Sequence, residues 1–153
     1  MKKLTKVCRV SAIVGAALLM AACSSMGRKS DDVPASMSMG AGANLSGAQE
    51  VPANASKATG SSTIWVAANK SVSGKVSISG MTPTAAHIHE AALGANGPVI
   101  VTLTQVSDAL FEAPANATLT NAQYASYLAG KLYINVHSKA YPGGEIRVQL
   151  SPK

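Results

Sequence analysis

Two runs near the C-terminus alternate strictly between apolar and polar residues, and this period-two pattern sets what the chain can become. Over residues 131–138, Leu132, Ile134 and Val136 share one side of an extended segment, and Tyr133, Asn135 and His137 share the other, because successive side chains of a strand point to opposite faces. Ile146, Val148 and Leu150 repeat the pattern over 145–150, and Pro142-Gly143-Gly144 between the two runs reads as a turn. A hairpin folded there sets Val136 against Ile146, Ile134 against Val148 and Leu132 against Leu150 on its apolar side. The same register sets His137 against Glu145, Asn135 against Arg147 and Tyr133 against Gln149. Slipping it by one residue would drive polar side chains into the core, so the apolar pattern selects the pairing.

Similar short runs punctuated by Gly, Pro, Asn and Ser predict further strands over 45–51, 61–67, 72–79, 85–91 and 99–103. One helix interrupts them near 120–129. Thr120 is its N-cap, Gln123 completes a capping box, Tyr124, Tyr127 and Leu128 form an apolar face, and Gly130 stops it. Residues 44–153 are enough for one core, and the predicted fold is all-β: a single antiparallel β-sandwich of Ig-like or Greek-key type with one short helix. Trp65 is expected to anchor the core or a sheet face.

The chain's three histidines all fall on polar strand faces. His87 and His89 are two apart and point the same way, with Ile88 opposite. Imidazole is the commonest side-chain ligand for zinc and copper, so His87, His89 and His137 are a candidate metal site. Glu145, opposite His137, is a candidate fourth ligand or a carboxylate that orients the ring. The alternative is a set of polar cross-strand contacts with no metal. Met26, Met37 and Met39 either are soft copper ligands or simply belong to a linker.

The N-terminus carries an address. Lys2, Lys3, Lys6 and Arg9 precede an apolar stretch over 10–22 that is too short to span a bilayer. Leu19-Met-Ala-Ala-Cys23 resembles the lipobox of bacterial lipoproteins, which implies a signal peptide over 1–22 and lipidation of Cys23; the alternative is an ordinary signal peptide with Cys23 left as a free thiol. Ser24 after the cysteine resembles the pattern that permits sorting to an outer membrane. Residues 23–43, rich in Ser, Met, Gly and Ala, read as a flexible tether to the domain.

Four of the 13 basic residues and none of the seven acidic ones precede Cys23, leaving nine against seven. The positive net charge is thus mostly the signal, and a nucleic-acid partner is not supported. Of the two cysteines, Cys8 lies in the signal and Cys23 carries the lipid, so the domain has no disulfide.

Five motifs stand in order along the domain: Leu45-Ser-Gly-Ala-Gln-Glu-Val-Pro52, Ala86-His-Ile-His-Glu90, Asn96-Gly-Pro-Val99, Gly130-Lys-Leu-Tyr-Ile-Asn-Val-His137 and Gly143-Gly-Glu-Ile-Arg147. Together they resemble the CHRD domain, the family first named for chordin. The resemblance implies a β-rich extracytoplasmic domain. Animal members lie in extracellular antagonists of growth factors, and many bacterial members are secreted or envelope proteins. It does not imply a reaction, since a fold does not fix a function.

No catalytic scheme emerges. Ser138 and His137 face opposite ways, and no spacing selects an acid–base pair among Glu50, Glu90, Asp108 and Glu112. His87-Ile-His-Glu90 resembles the strand that supplies two copper ligands in copper–zinc superoxide dismutases. The further histidines and the disulfide of those enzymes are missing, which argues against dismutase activity and leaves a metal-dependent oxidoreductase as the remaining enzymatic alternative. The reading is a lipid-anchored, non-enzymatic envelope protein that binds an envelope or extracellular protein; the alternative is an envelope copper or zinc binder. Two acyl chains hold a protein on a membrane where one binds only marginally. Cys23→Ser is therefore expected to move the protein from the membrane to the soluble fraction and to abolish labelling by a fatty-acid probe, and persistent labelling would exclude lipidation there.

Overall fold

The computed structural model describes residues 42–152. The signal over 1–22, Cys23, and the tether up to residue 41 lie outside the described residues. Among the described residues, eleven strands, one helix and one 3-10 turn follow in order. The strands are β1 Ala43–Ser46, β2 Thr59–Ser62, β3 Trp65–Val66, β4 Val72–Ser73, β5 Lys75–Ser79, β6 Pro83–Glu90, β7 Val99–Thr102, β8 Thr104–Ser107, β9 Leu110–Glu112, β10 Leu132–Ser138 and β11 Ile146–Gln149; helix α1 is Asn121–Leu128.

Nine strands form one antiparallel sheet in the order β7-β6-β10-β11-β1-β2-β5-β9-β8, and β3 pairs with β4 beside it. Strands β7 and β8 lie at opposite ends of that order, yet Leu103 alone separates them in the chain. The sheet must therefore curl until its two edges meet. Leu103 is buried at this seam, and its N–H donates to the Ala86 carbonyl on β6 at 2.9 Å. The antiparallel all-β fold is as expected; the opposing layers of the sandwich are parts of one continuous, nearly closed sheet. Its interior holds Leu45, Val76, Ile88, Phe111, Leu132, Ile134, Val136 and Ile146 among others, all buried.

The hairpin register is the expected one, with Tyr133 opposite Gln149, Ile134 opposite Val148, Asn135 opposite Arg147 and Val136 opposite Ile146. On the other flank of β10, β6 pairs so that Tyr133 faces His89 and Asn135 faces His87. Both histidine-bearing strands are therefore neighbours.

Three local expectations change. The strand expected over 72–79 breaks at Gly74, whose φ of +113° suits glycine and whose added Cβ would lie 2.3 Å from the Thr63 carbonyl oxygen. Val72–Ser73 thus pairs with Trp65–Val66, leaving Trp65 on a partly exposed sheet face. The strand expected over 45–51 stops at Ser46, and a 3-10 turn over Gly47–Gln49 redirects the chain so that Glu50 turns inward. The helix has its capping box, with Gln123 N–H donating to Thr120 Oγ1 at 3.2 Å and Thr120 N–H donating to Gln123 Oε1 at 2.8 Å. Its apolar face is narrower than expected: Tyr127 is buried, but Leu128 is 53% exposed because the helix ends there.

Strands β8 and β9 have no counterpart among the expected strands. β9 matters for closure, since Phe111 pairs with Val76 on one side and Gln105 on the other and is fully buried. Truncating a buried phenylalanine costs about 3–5 kcal/mol. Phe111→Ala is expected to lose that much in urea unfolding at unchanged m-value; a loss under about 1 kcal/mol would show that β9 contributes no core.

Candidate metal centre

The side of β6, β10 and β11 that alternation leaves polar is itself buried. Arg147 is only 1% exposed, Glu50 7% and His89 8%, and Tyr133, Asn135 and Glu145 are buried with them. Three connecting segments cover this face, and each is held by hydrogen bonds to it. In the segment before β7, Asn96 Oδ1 and the Ala95 carbonyl accept from Arg147 at 3.0 and 2.8 Å, and Gly97 N–H donates to the Tyr133 hydroxyl at 3.1 Å. In the segment after β1, Glu50 Oε2 accepts from Asn135 Nδ2 at 3.3 Å, and the Val51 carbonyl accepts from Asn96 Nδ2 at 2.7 Å. The turn before β11 closes over Asn135 at Gly144, whose φ is +132° and where a Cβ would meet the Asn135 amide at 2.4 Å.

Within this layer His89, Tyr133 and Arg147 lie against one another. The His89 and Tyr133 rings stack at 4.8 Å with 9° between planes, and the Arg147 guanidinium carbon lies 3.4 Å from the Tyr133 ring centroid. Such a cation–π contact partly replaces the water that a buried guanidinium loses. Glu50 faces the same guanidinium, but burial outweighs that attraction and the hydrogen bonds, and its carboxyl is pushed up to about 7.

The three histidines converge at the edge of the layer. One ring nitrogen of each lies within 4.8 Å of the others. His87 Nδ1 is 3.0 Å from His137 Nε2. The tautomers of two rings follow from their partners, because a carbonyl can only accept. His89 Nδ1 lies 2.9 Å from the Gly97 carbonyl and His137 Nδ1 lies 3.0 Å from the Pro142 carbonyl, so each carries its proton there. The Nε2 of each of these rings is then an acceptor, and that of His137 faces His87 Nδ1 at 3.0 Å. That of His89 is buried and has no hydrogen-bond partner among the described residues. Backbone carbonyls that fix the far nitrogen of an imidazole are the usual support for metal-ligating histidines. Nitrogens bound to one zinc or copper at about 2.0–2.1 Å sit roughly 3.3–4.2 Å apart, so the observed spread needs only a small contraction.

Burial and the two neighbouring imidazoles lower the pKa of His87. Burial is also the first cause for His89, opposed by the Gly97 hydrogen bond and reinforced by His137 and Arg147. Both rings are therefore held in the neutral, ligating form at neutral pH.

Glu145 does not join them. Its carboxylate accepts from Ser56 Oγ at 2.6 Å, and among the described residues the group of converging ligands contains the three histidines alone. The reason is local: the regular pairing ends at Val136–Ile146, and residue 145 follows the left-handed Gly144 in the turn, so register no longer aims its side chain at His137. Ser138 is buried, with Oγ accepting from Tyr141 N–H at 3.1 Å. Glu90 binds Ser126 Oγ on α1, and Glu112 pairs with Lys75 on the exposed sheet at 2.6 Å. The carbonyls of Gly97 and Pro142 were invisible to residue-type reasoning, although both lie in the Gly- and Pro-rich turns.

A family model described as the CHRD domain matches residues 41–150. No curated protein and no solved structure matches the chain.

The raised pKa of Glu50 has a sign that can be tested. Its folded value of about 7 exceeds the unfolded value of 4.5, so the folded state holds the extra proton between them. Its favourable contribution is complete below 4.5 and is lost as pH rises through 7. Glu50→Gln is neutral throughout, and other groups cancel in the comparison. The variant is expected to gain about 2–3 kcal/mol on wild type between pH 4.5 and 8.5 in urea unfolding; a constant difference would mean that Glu50 is ionised against Arg147 in the fold.

Proposed function

The chain belongs to the CHRD family, and from that premise we propose that it is a binding module that holds copper or zinc between His87, His89 and His137, anchored at the cell envelope through lipidated Cys23. The observation that carries the reading is the buried Nε2 of His89, without a partner among the described residues, on a ring that belongs to the group of three converging imidazoles and is fixed by a backbone carbonyl on its opposite nitrogen. An isolated buried acceptor is costly, and a metal ion would satisfy it. Three nitrogen donors favour copper or zinc over calcium or magnesium, which prefer oxygen. Membership of the family points to binding rather than catalysis.

A second reading, capture of an envelope or extracellular protein, is favoured by a shallow cleft beside the histidines. It lies between the segments over 50–54 and 140–144 and is lined by Glu50, Pro52, Asn54, Tyr141 and Pro142. The two readings are compatible, since the Pro142 carbonyl that orients His137 belongs to the cleft wall.

Calorimetric titration of the purified protein with Zn(II) and Cu(II) tests the metal reading. One-to-one binding tighter than about 10 μM, roughly −7 kcal/mol, is expected, with loss in each of His87→Ala, His89→Ala and His137→Ala and little change in Glu145→Gln. Absence of such binding by zinc and by copper in either oxidation state would leave the histidines as hydrogen-bonding partners and the cleft as the functional surface.

A further inference from the structure

Resting on the metal-binding reading, we infer that the three-histidine centre selects the cuprous ion, holding Cu(I) in preference to Cu(II). Charge and coordination number lead to this choice.

The donors are three neutral imidazoles. No carboxylate or thiolate joins them among the described residues; Glu145 is turned to Ser56 and Glu90 to Ser126. A bound ion therefore keeps its whole charge in a partly buried setting. Zinc in a closed site completes four ligands, commonly with help from an anionic donor. A monovalent d10 copper ion is satisfied by three nitrogens and leaves a single charge to accommodate.

The second observation is Arg147, which is permanently cationic and almost wholly buried. It donates only to neutral acceptors, Asn96 Oδ1, the Ala95 carbonyl and Gln149 Oε1, and none of its hydrogen bonds or salt bridges goes to a carboxylate among the described residues. A single aromatic ring, Tyr133, is in contact with both this cation and His89. Glu50 is the carboxyl that faces Arg147, and burial keeps it from being a full counter-charge at neutral pH. A fixed positive charge beside a metal site disfavours each added unit of charge on the ion. At an effective dielectric near 20, a unit charge roughly 12 Å from the ion, a separation of the order that one intervening tyrosine ring and one imidazole impose, changes the ratio of Cu(I) to Cu(II) affinity by about tenfold, which for one electron corresponds to about 59 mV.

The experiment uses the full chain. Cu(I) affinity is measured anaerobically by competition with a chromogenic cuprous chelator, Cu(II) and Zn(II) affinities by calorimetry, and the midpoint potential of the copper-loaded protein by spectroelectrochemistry. Cu(I) is expected to bind at least tenfold more tightly than Cu(II), placing the midpoint at least about 59 mV above that of aqueous copper. Arg147→Met should lower the midpoint by about the same amount, and Arg147→Lys should retain most of it. Should the Arg147 variants fail to fold, the wild-type affinity ratio still decides. Cu(II) binding as tight as Cu(I), or a midpoint unmoved in a folded Arg147→Met, overturns the selectivity while leaving the metal site intact. Absence of one-to-one binding by copper and zinc alike removes both this inference and the reading beneath it.

Discussion

A guanidinium sealed from water, with no carboxylate hydrogen-bonded to it among the described residues, is the constraint around which this domain is arranged. Arg147 is placed there by strand register, opposite Asn135 on β10, and it must be solvated by protein. The Ala95 carbonyl, Asn96 and the face of Tyr133 do that work. Each of those contacts immobilises something else. Fixing Asn96 ties its neighbour Gly97 in place, and Gly97 supplies the carbonyl that orients His89. Gly97 can sit so close only because it lacks a side chain, as a Cβ there would fall 1.9 Å from the Glu90 carbonyl oxygen. Asn96 also reaches Val51, binding the segment that brings Glu50 to Asn135. The geometry of the histidines is thus downstream of the solvation of one arginine.

Much of the framework was legible because it depends on period two. Leu132, Ile134 and Val136 could face only one way, so the register with Ile146 and Val148 followed, and with it the side on which His137 emerges. The convergence of His87 and His89 with His137 required the additional fact that β6 lies next to β10, which no local pattern encodes. What escaped reading is of two kinds. Strands β8 and β9 are short, and β8 is exposed along its whole length, so neither shows an alternating apolar signal. The burial of the polar face came from loops over 50–54, 91–98 and 139–144, whose contributions are mostly backbone carbonyls and glycines without side chains to announce them. Glu145 failed for a related reason: a register argument holds only while the ladder lasts, and the ladder ends at Ile146.

The five motifs that mark the family acquire a shared physical meaning. Glu50 and Val51 come from the first, His87 and His89 from the second, Asn96 and Gly97 from the third, Tyr133, Asn135 and His137 from the fourth, and Gly144 and Arg147 from the fifth. All of them meet in the polar layer on the outside of the sheet. The apolar interior, by contrast, is built from positions that any β-rich domain fills with Val, Ile, Leu and Phe. The family pattern therefore describes a second, hydrogen-bonded core more than it describes the hydrophobic one.

The pairing of β1 with β11 also bears on when this domain can exist. Ser46 lies opposite Arg147, so the first strand of the domain is completed on one side only by the last. A ribosome delivers those two residues far apart in time, and until the second arrives β1 has only β2 as a neighbour. Long-range pairings of this kind make closure a late event. The closed sheet therefore cannot be completed before its last strand has been made, so the interior it encloses is assembled from both ends of the domain at once.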